Sequence, residues 1–106
     1  MTHADQWAVI FKSKQAMIDE EFQRHSDELD RLVINQPGFL RMDSVHDQQG
    51  FGITVSYWSS LEAIKAFKAL PLHLSAQAKG RQRWFDSYTV EIAKIERAYH
   101  FDRADS

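Results

Sequence analysis

The sequence predicts an α+β architecture, one antiparallel four-stranded sheet with helices on a single face, and three observations predict it. Aromatic and β-branched runs of strand length occur in four places and amphipathic helical spacing in two, in the order strand, helix, strand, strand, helix, strand. The chain has 106 residues, room for one domain and no second. With 43% apolar and 26% charged side chains it has the make-up of a folded globular chain, not a disordered or collagen-like one.

Taking the elements in order, Gln6–Ser13 contains Trp7-Ala8-Val9-Ile10-Phe11, the profile of a strand buried on at least one face. Between Ile18 and Val33 the apolar residues Ile18, Phe22, Leu29, Leu32 and Val33 keep helical spacing, with His25 filling the gap in the stripe and acidic and basic residues opposite. Pro37-Gly38 then predicts a type II turn over residues 36–39, because proline presets φ at its second position and glycine supplies the positive φ at its third. Phe39–His46 and Phe51–Trp58 form a hairpin across Asp47-Gln48-Gln49-Gly50. In its second strand Phe51, Ile53, Val55 and Tyr57 share one side, while Gly52, Thr54, Ser56 and Trp58 share the other.

Ser59-Ser60-Leu61-Glu62 fits a capping box with Ser59 as the cap. The helix it opens keeps its stripe through Leu61, Ile64 and Phe67 until Pro71, where it kinks or restarts. A looser helical piece follows over residues 72–85, with Leu74, Ala78, Arg81 and Phe85 at helical spacing and Gly80 as a weak point. The last strand is read over Tyr88–Phe101, with a phase slip that a β-bulge near Ile92 would produce. Residues 102–106 read as a frayed tail.

The order βαββαβ is the split arrangement of ferredoxin-like folds. Right-handed crossovers put both helices on one side, so the other sheet face is uncovered. Trp58, with Trp7 or Ala8, is expected on that face, and a last strand of about 46 Å at ~3.3 Å per residue is long enough to reach a neighbour. A symmetric dimer burying the two open faces is the simplest remedy.

Composition also bounds function. Thirteen basic and fifteen acidic side chains leave a formal charge of −2, too balanced to draw phosphate backbones or anionic lipid, so nucleic acid is not an expected partner. No cysteine occurs, which excludes disulfides and thiol chemistry. The longest apolar stretch, Trp7–Phe11, falls far short of the ~20 residues that span a bilayer, so no membrane association and a cytoplasmic location are expected. The histidines His3, His25, His46, His73 and His100 lack the spacing that organises a metal, so no metal site is expected. His73 stands out because it follows the Pro71 break, where an imidazole can face the gap between helix and sheet and move a proton near neutral pH. His25 reads as a satisfied side chain. Phe67, Trp84 and Tyr88 belong to an aromatic cluster that is either core or the wall of a cavity for a planar ligand. Arg81 is the one basic residue on the apolar stripe.

Pro37-Gly38-Phe39-Leu40, Gly52-Ile53-Thr54-Val55-Ser56-Tyr57-Trp58, His73, Ala76-Gln77, Gly80-Arg81, Trp84-Phe85, Tyr88 and Ile95-Glu96-Arg97 together resemble the antibiotic biosynthesis monooxygenase family over residues 5–101. The resemblance implies a dimeric α+β barrel, in which two such subunits pair through their sheets and exchange the last strand. It also implies a cofactor-independent monooxygenase that oxidises a small planar aromatic or quinol-type substrate with dioxygen. His73 would be the proton acceptor, Phe67, Trp84 and Tyr88 the walls, and Gln77 or Arg81 the donor to a developing oxyanion. Haem-degrading relatives carry an Asn, a Trp and a His where this chain has Ile10 or Phe11, Phe67 and Gln77, which argues against haem as substrate. A non-catalytic small-molecule-binding or stress-response dimer of the same fold is the alternative.

Overall fold

Residues 5–16 and 19–105 are described by the computed structural model. Its elements run β1 Trp7–Gln15, α1 Glu20–Val33, β2 Phe39–His46, β3 Phe51–Trp58, α2 Leu61–Lys68, α3 Pro71–Lys79 and β4 Phe85–Lys94, with one π-helical turn, Gly80–Trp84, between α3 and β4. The strands lie in the order β2-β3-β1-β4, and every neighbouring pair is antiparallel. This is the ferredoxin-like α+β order, with its second helix in two pieces.

Local chemistry accounts for the joints. The side chain of Asp19 caps α1, accepting from Phe22 N at 2.7 Å; Ile18, expected within this helix, lies outside the described residues. The turn before β2 is type II: Phe39 N donates to Gln36 O at 3.1 Å and Gly38 has φ 86°. In the hairpin, Asp47 Oδ1 accepts from both Gln49 N and Phe51 N at 2.9 Å, and Gly50 takes φ 96°. Ser60, not Ser59, caps α2: its Oγ accepts from Ala63 N at 3.1 Å, while Ser59 N is spent on Gly38 O at 2.8 Å. Leu70 is extended, as a residue before proline must be, and Pro71 restarts the helix as its first residue.

Strand β4 differs from expectation at both ends. It begins at Phe85 and alternates evenly past Ile92; the register shift sits instead between Lys14 and Gln15, opposite Ser87 and Phe85, which leaves Asp86 as the extra residue. The strand ends at Lys94, and after a last backbone bond from Ile95 N to Gln6 O at 2.9 Å the chain continues as an arm without regular structure. The apparent phase slip arises because Ile95, Arg97 and Tyr99 belong to this arm. Tyr99 and Phe101 are 87% and 73% exposed on it. Arg103–Asp105, expected to fray, form a short 3₁₀ turn. The radius of gyration is 15.3 Å, against about 13 Å for a compact chain of this length.

The helices choose the sheet face opposite to the one expected. Trp58, at 2% exposure, packs with Val33 and Ile64, and Trp7 packs against the same cluster. Both tryptophans therefore lie under the helices, whereas Ala8, paired with Tyr57 and Ala93, is on the open face. The open face carries the apolar side of β3: Phe51 and Ile53 are 52% and 43% exposed, beside Val45 at 66%. Small polar residues of β3 face the helices instead, and this exchange makes room for a cavity.

Candidate functional site

A cavity of about 510 Å³ lies between the sheet and α1, α2 and α3, within the ~300–1,000 Å³ of small-molecule sites. Its floor is the run Gly52, Thr54 and Ser56 of β3 with Ser13 of β1 and Ser44 of β2, where Ser44 Oγ and Thr54 Oγ1 are 2.8 Å apart. Such short side chains cannot fill the gap beneath the helices. Aromatic groups close the two ends. At one end Trp58 and Phe67 have centroids 5.4 Å apart, and Phe67 lies 4.9 Å from the ring of His73. At the other, Trp84 lies 5.4 Å from Phe22 and 5.3 Å from His25, and Phe11 lies 5.5 Å from both Phe85 and Tyr88.

Of the residues predicted for a site, Phe67, His73, Gln77, Trp84 and Tyr88 all line this cavity. Arg81 does not. It is exposed, and its Nη1 donates to the Tyr88 hydroxyl at 3.2 Å, from outside the lining. The inward stripe of α3 and the π turn is His73, Ala76, Gln77, Gly80 and Trp84, one residue out of phase with the expected Leu74, Ala78 and Arg81; Leu74 is 52% exposed. Gln15 and His25 are among the lining residues that sequence reasoning did not place at a site. Gln15 lies beyond the expected end of β1 at Ser13, although Val9, Phe11, Ser13 and Gln15 share one parity. His25 occupies a core-like position on α1, with Nδ1 on Glu21 O at 3.0 Å.

His73 is the group with chemistry to offer. Its imidazole is held below the ordinary histidine range, first by burial and then by the nearby Lys68 ammonium, against a backbone hydrogen bond at Lys68 that opposes the shift. It is therefore neutral at physiological pH, and its buried Nδ1 has no hydrogen-bond partner. Neutral and unpaired at a cavity wall, it is equipped to accept a proton. Asp30, also on the lining, has its carboxyl raised, first by desolvation and then by Asp27. The far side of α1 is tied to α3 and the π turn: Glu21 takes Lys79 on one oxygen and Arg83 on the other, and Arg83 also lies 3.9 Å from Asp19. Among the described residues, no three metal-ligating side chains converge, and no helix is long and apolar enough to cross a membrane.

Comparisons with known proteins agree with this fold. Residues 11–79 match the family model described as antibiotic biosynthesis monooxygenase. A Bacillus subtilis (strain 168) protein, the uncharacterized protein YqjZ, is 41% identical over 91 residues, covering 86% of this chain and 80% of that one. Among solved structures, a mutant of SnoaB, a cofactor-independent oxygenase from Streptomyces nogalater, superposes with a TM-score of 0.75 at 15% identity, over 90% of this chain and 97% of that one. The Pseudomonas aeruginosa protein PA3566 superposes with a TM-score of 0.69 at 17% identity, over 92% of this chain and all of that one (100%). At such identities the structures speak for the fold alone, but the family match spans well over half of the sequence. The chain belongs to the antibiotic biosynthesis monooxygenase family.

Proposed function

We propose that this protein is a cofactor-independent monooxygenase that oxidises a planar hydroxylated aromatic or quinol-type substrate with dioxygen, working as a homodimer. The observation that carries the reading is the neutral, unpartnered Nδ1 of His73 on the wall of a 510 Å³ aromatic-lined cavity. Substrate lies between the rings of Phe67 and Tyr88, over the short side chains of β3, and is held by area and offset stacking. His73 Nδ1 takes the phenolic proton. The resulting anion is delocalised onto a ring carbon, and the Gln77 amide donates to its oxygen. That carbon reduces dioxygen: a C–O bond forms, and protonation gives a hydroperoxide. The O–O bond then breaks as the carbon gives up its hydrogen, and water leaves. The sum is hydroxyarene plus O₂ to quinone plus water, with all four electrons drawn from the ring.

The exposed apolar side of β3 and the arm beyond Lys94 support the dimer. Two sheets meeting through Val45, Phe51, Ile53 and Tyr57 cover apolar surface that a monomer leaves in water, and the arm with Tyr99 and Phe101 reaches the second copy.

Oxygen uptake by purified protein on hydroxylated naphthacenes and quinols tests the chemistry. A His73→Gln variant is expected to lose about 10²-fold or more in kcat, the usual range for a removed general base. Unchanged turnover removes His73 from the mechanism. Binding of these compounds with no oxygen uptake leaves a dimer that carries small molecules without transforming them.

A further inference from the structure

Lys79, Arg81 and Arg83 stand at alternate positions where α3 passes into the π turn, and their side chains diverge there. Lys79 and Arg83 both go to Glu21 on α1. Arg81 goes the other way, to β4, where its Nη1 donates to the Tyr88 hydroxyl at 3.2 Å. The π turn makes the divergence possible. It closes with Phe85 N donating to Gly80 O, and a widened turn of this kind rotates the residues it holds off the α-helical path. Glycine is needed at position 80 for close approach, not for conformation: its backbone is α-helical, yet an added Cβ would stand 3.0 Å from the Phe85 ring. The same turn thus seats Phe85 and aims Arg81.

Tyr88 stands where a ring needs an anchor. It lies on β4, an edge strand of the sheet, and on the same side of that strand Val90 and Ile92 are 40% and 44% exposed, so no helix covers this flank. Its ring lines the cavity and packs on Phe11 and Phe85, with centroids 5.5 and 6.0 Å away. Those contacts are apolar and non-directional, and a change of χ1 rotamer carries the ring from the cavity wall out to water. The bond from Arg81 fixes the end of the ring that the two phenylalanines leave loose. A guanidinium is a donor only, so the Tyr88 oxygen accepts, and the ring is held from outside the cavity.

Resting on the aromatic-cavity reading above, we infer that Arg81 is a positioning residue, which holds the Tyr88 ring by its hydroxyl as the wall against which a bound ligand stacks. Arg81 itself lies outside the lining, so it acts on the ligand through Tyr88 alone. Loss of the bond frees the ring to swing toward solvent. The β4 flank of the cavity then opens, and the ligand leaves sooner.

Two measurements on the intact protein test this, neither of which requires turnover. In protein labelled with 3-fluorotyrosine, the ¹⁹F signals of the three tyrosines, Tyr57, Tyr88 and Tyr99, are assigned with single Tyr→Phe variants. Without ligand, Arg81→Met should move the Tyr88 signal toward that of the exposed Tyr99 and leave Tyr57 in place; a Tyr88 signal that does not move overturns the inference. In stopped flow, tryptophan fluorescence quenched by alizarin, a planar hydroxylated anthraquinone, reports its release. Arg81→Met should speed that release about threefold to tenfold, as the loss of one hydrogen bond implies. Tyr88→Phe keeps the ring and removes the acceptor, so it should speed release as much, and adding Arg81→Met to it should change nothing further. A role of Arg81 in holding the fold would persist without the hydroxyl, so an equal effect of Arg81→Met in both backgrounds overturns the inference. Failure of alizarin to bind the parent overturns the aromatic-cavity reading and the positioning role with it. Release governed by the Arg81–Tyr88 pair, without oxygen uptake on any substrate, overturns the monooxygenase reading and leaves the positioning role standing.

Discussion

At the scale of single residues, the environment of His73 has a consequence for stability as well as for chemistry. Burial keeps its imidazole neutral at pH values where the unfolded chain binds a proton, so the unfolded state holds more protons over that interval and stability rises with pH across it. Thermal stability of the native protein should fall as pH drops from about 6.5, the ordinary histidine value, until the lowered folded-state value is passed. His73→Phe should flatten that slope; an unchanged slope in melts between pH 7 and pH 5 places the titration elsewhere. His73 was legible in the sequence because proline restarts a helix and a residue two positions on lies in its first turn. Arg81 misled for a related reason: a stripe counted from Leu74 is one residue out of phase, and nothing in helical spacing alone reveals where a helix begins its rotation. Gln15 was hidden by a strand that runs four residues beyond its apolar run.

At the scale of elements, the helix that carries His73 depends on a charged fastening to α1. The Glu21 carboxyl is held below the ordinary glutamate range, first by its hydrogen bond with Lys79, then, against an opposing desolvation, by Arg83. A carboxylate lowered in this way stabilises the fold at neutral pH, and its contribution is lost as pH falls through the lowered value. The fastening is solvent-screened, so it orders α3 more than it adds to global stability. Glu21→Gln should speed amide exchange in α3 several-fold at pH 7 with a small change in melting temperature, and high salt should speed exchange in the parent in the same way. Exchange in α3 unaffected by the variant contradicts the fastening. The elements themselves were legible wherever signals are local: the Pro37-Gly38 turn, the Asp47–Gly50 hairpin and the Pro71 break all stand where residue chemistry put them. Adjacent serines defeated the cap assignment, since either hydroxyl suits the position and a tertiary bond from Ser59 N to Gly38 O decides between them.

At the scale of the whole molecule, alternation along β3 showed two unlike faces but could not say which one the helices cover. The rule that apolar side chains go inward assumes a single chain. Here Gly52, Thr54 and Ser56 face the helices and leave space for a ligand, while Phe51, Ile53, Val55 and Tyr57 are turned outward. An interface and a cavity thus follow from one inversion of the usual pattern. Ile53→Lys is expected to convert a sedimenting dimer into a monomer at micromolar concentration, because it sets a charge in the middle of the open face; a dimer that survives it moves the interface elsewhere. The account centres on a substrate anion, formed in the cavity, that itself reduces dioxygen. Turnover of a hydroxylated naphthacene under ¹⁸O₂ tests this most directly: one labelled oxygen should enter each quinone and one each water, with one O₂ consumed per product. Quinone oxygen drawn from solvent water, or product formed without oxygen uptake, would contradict it.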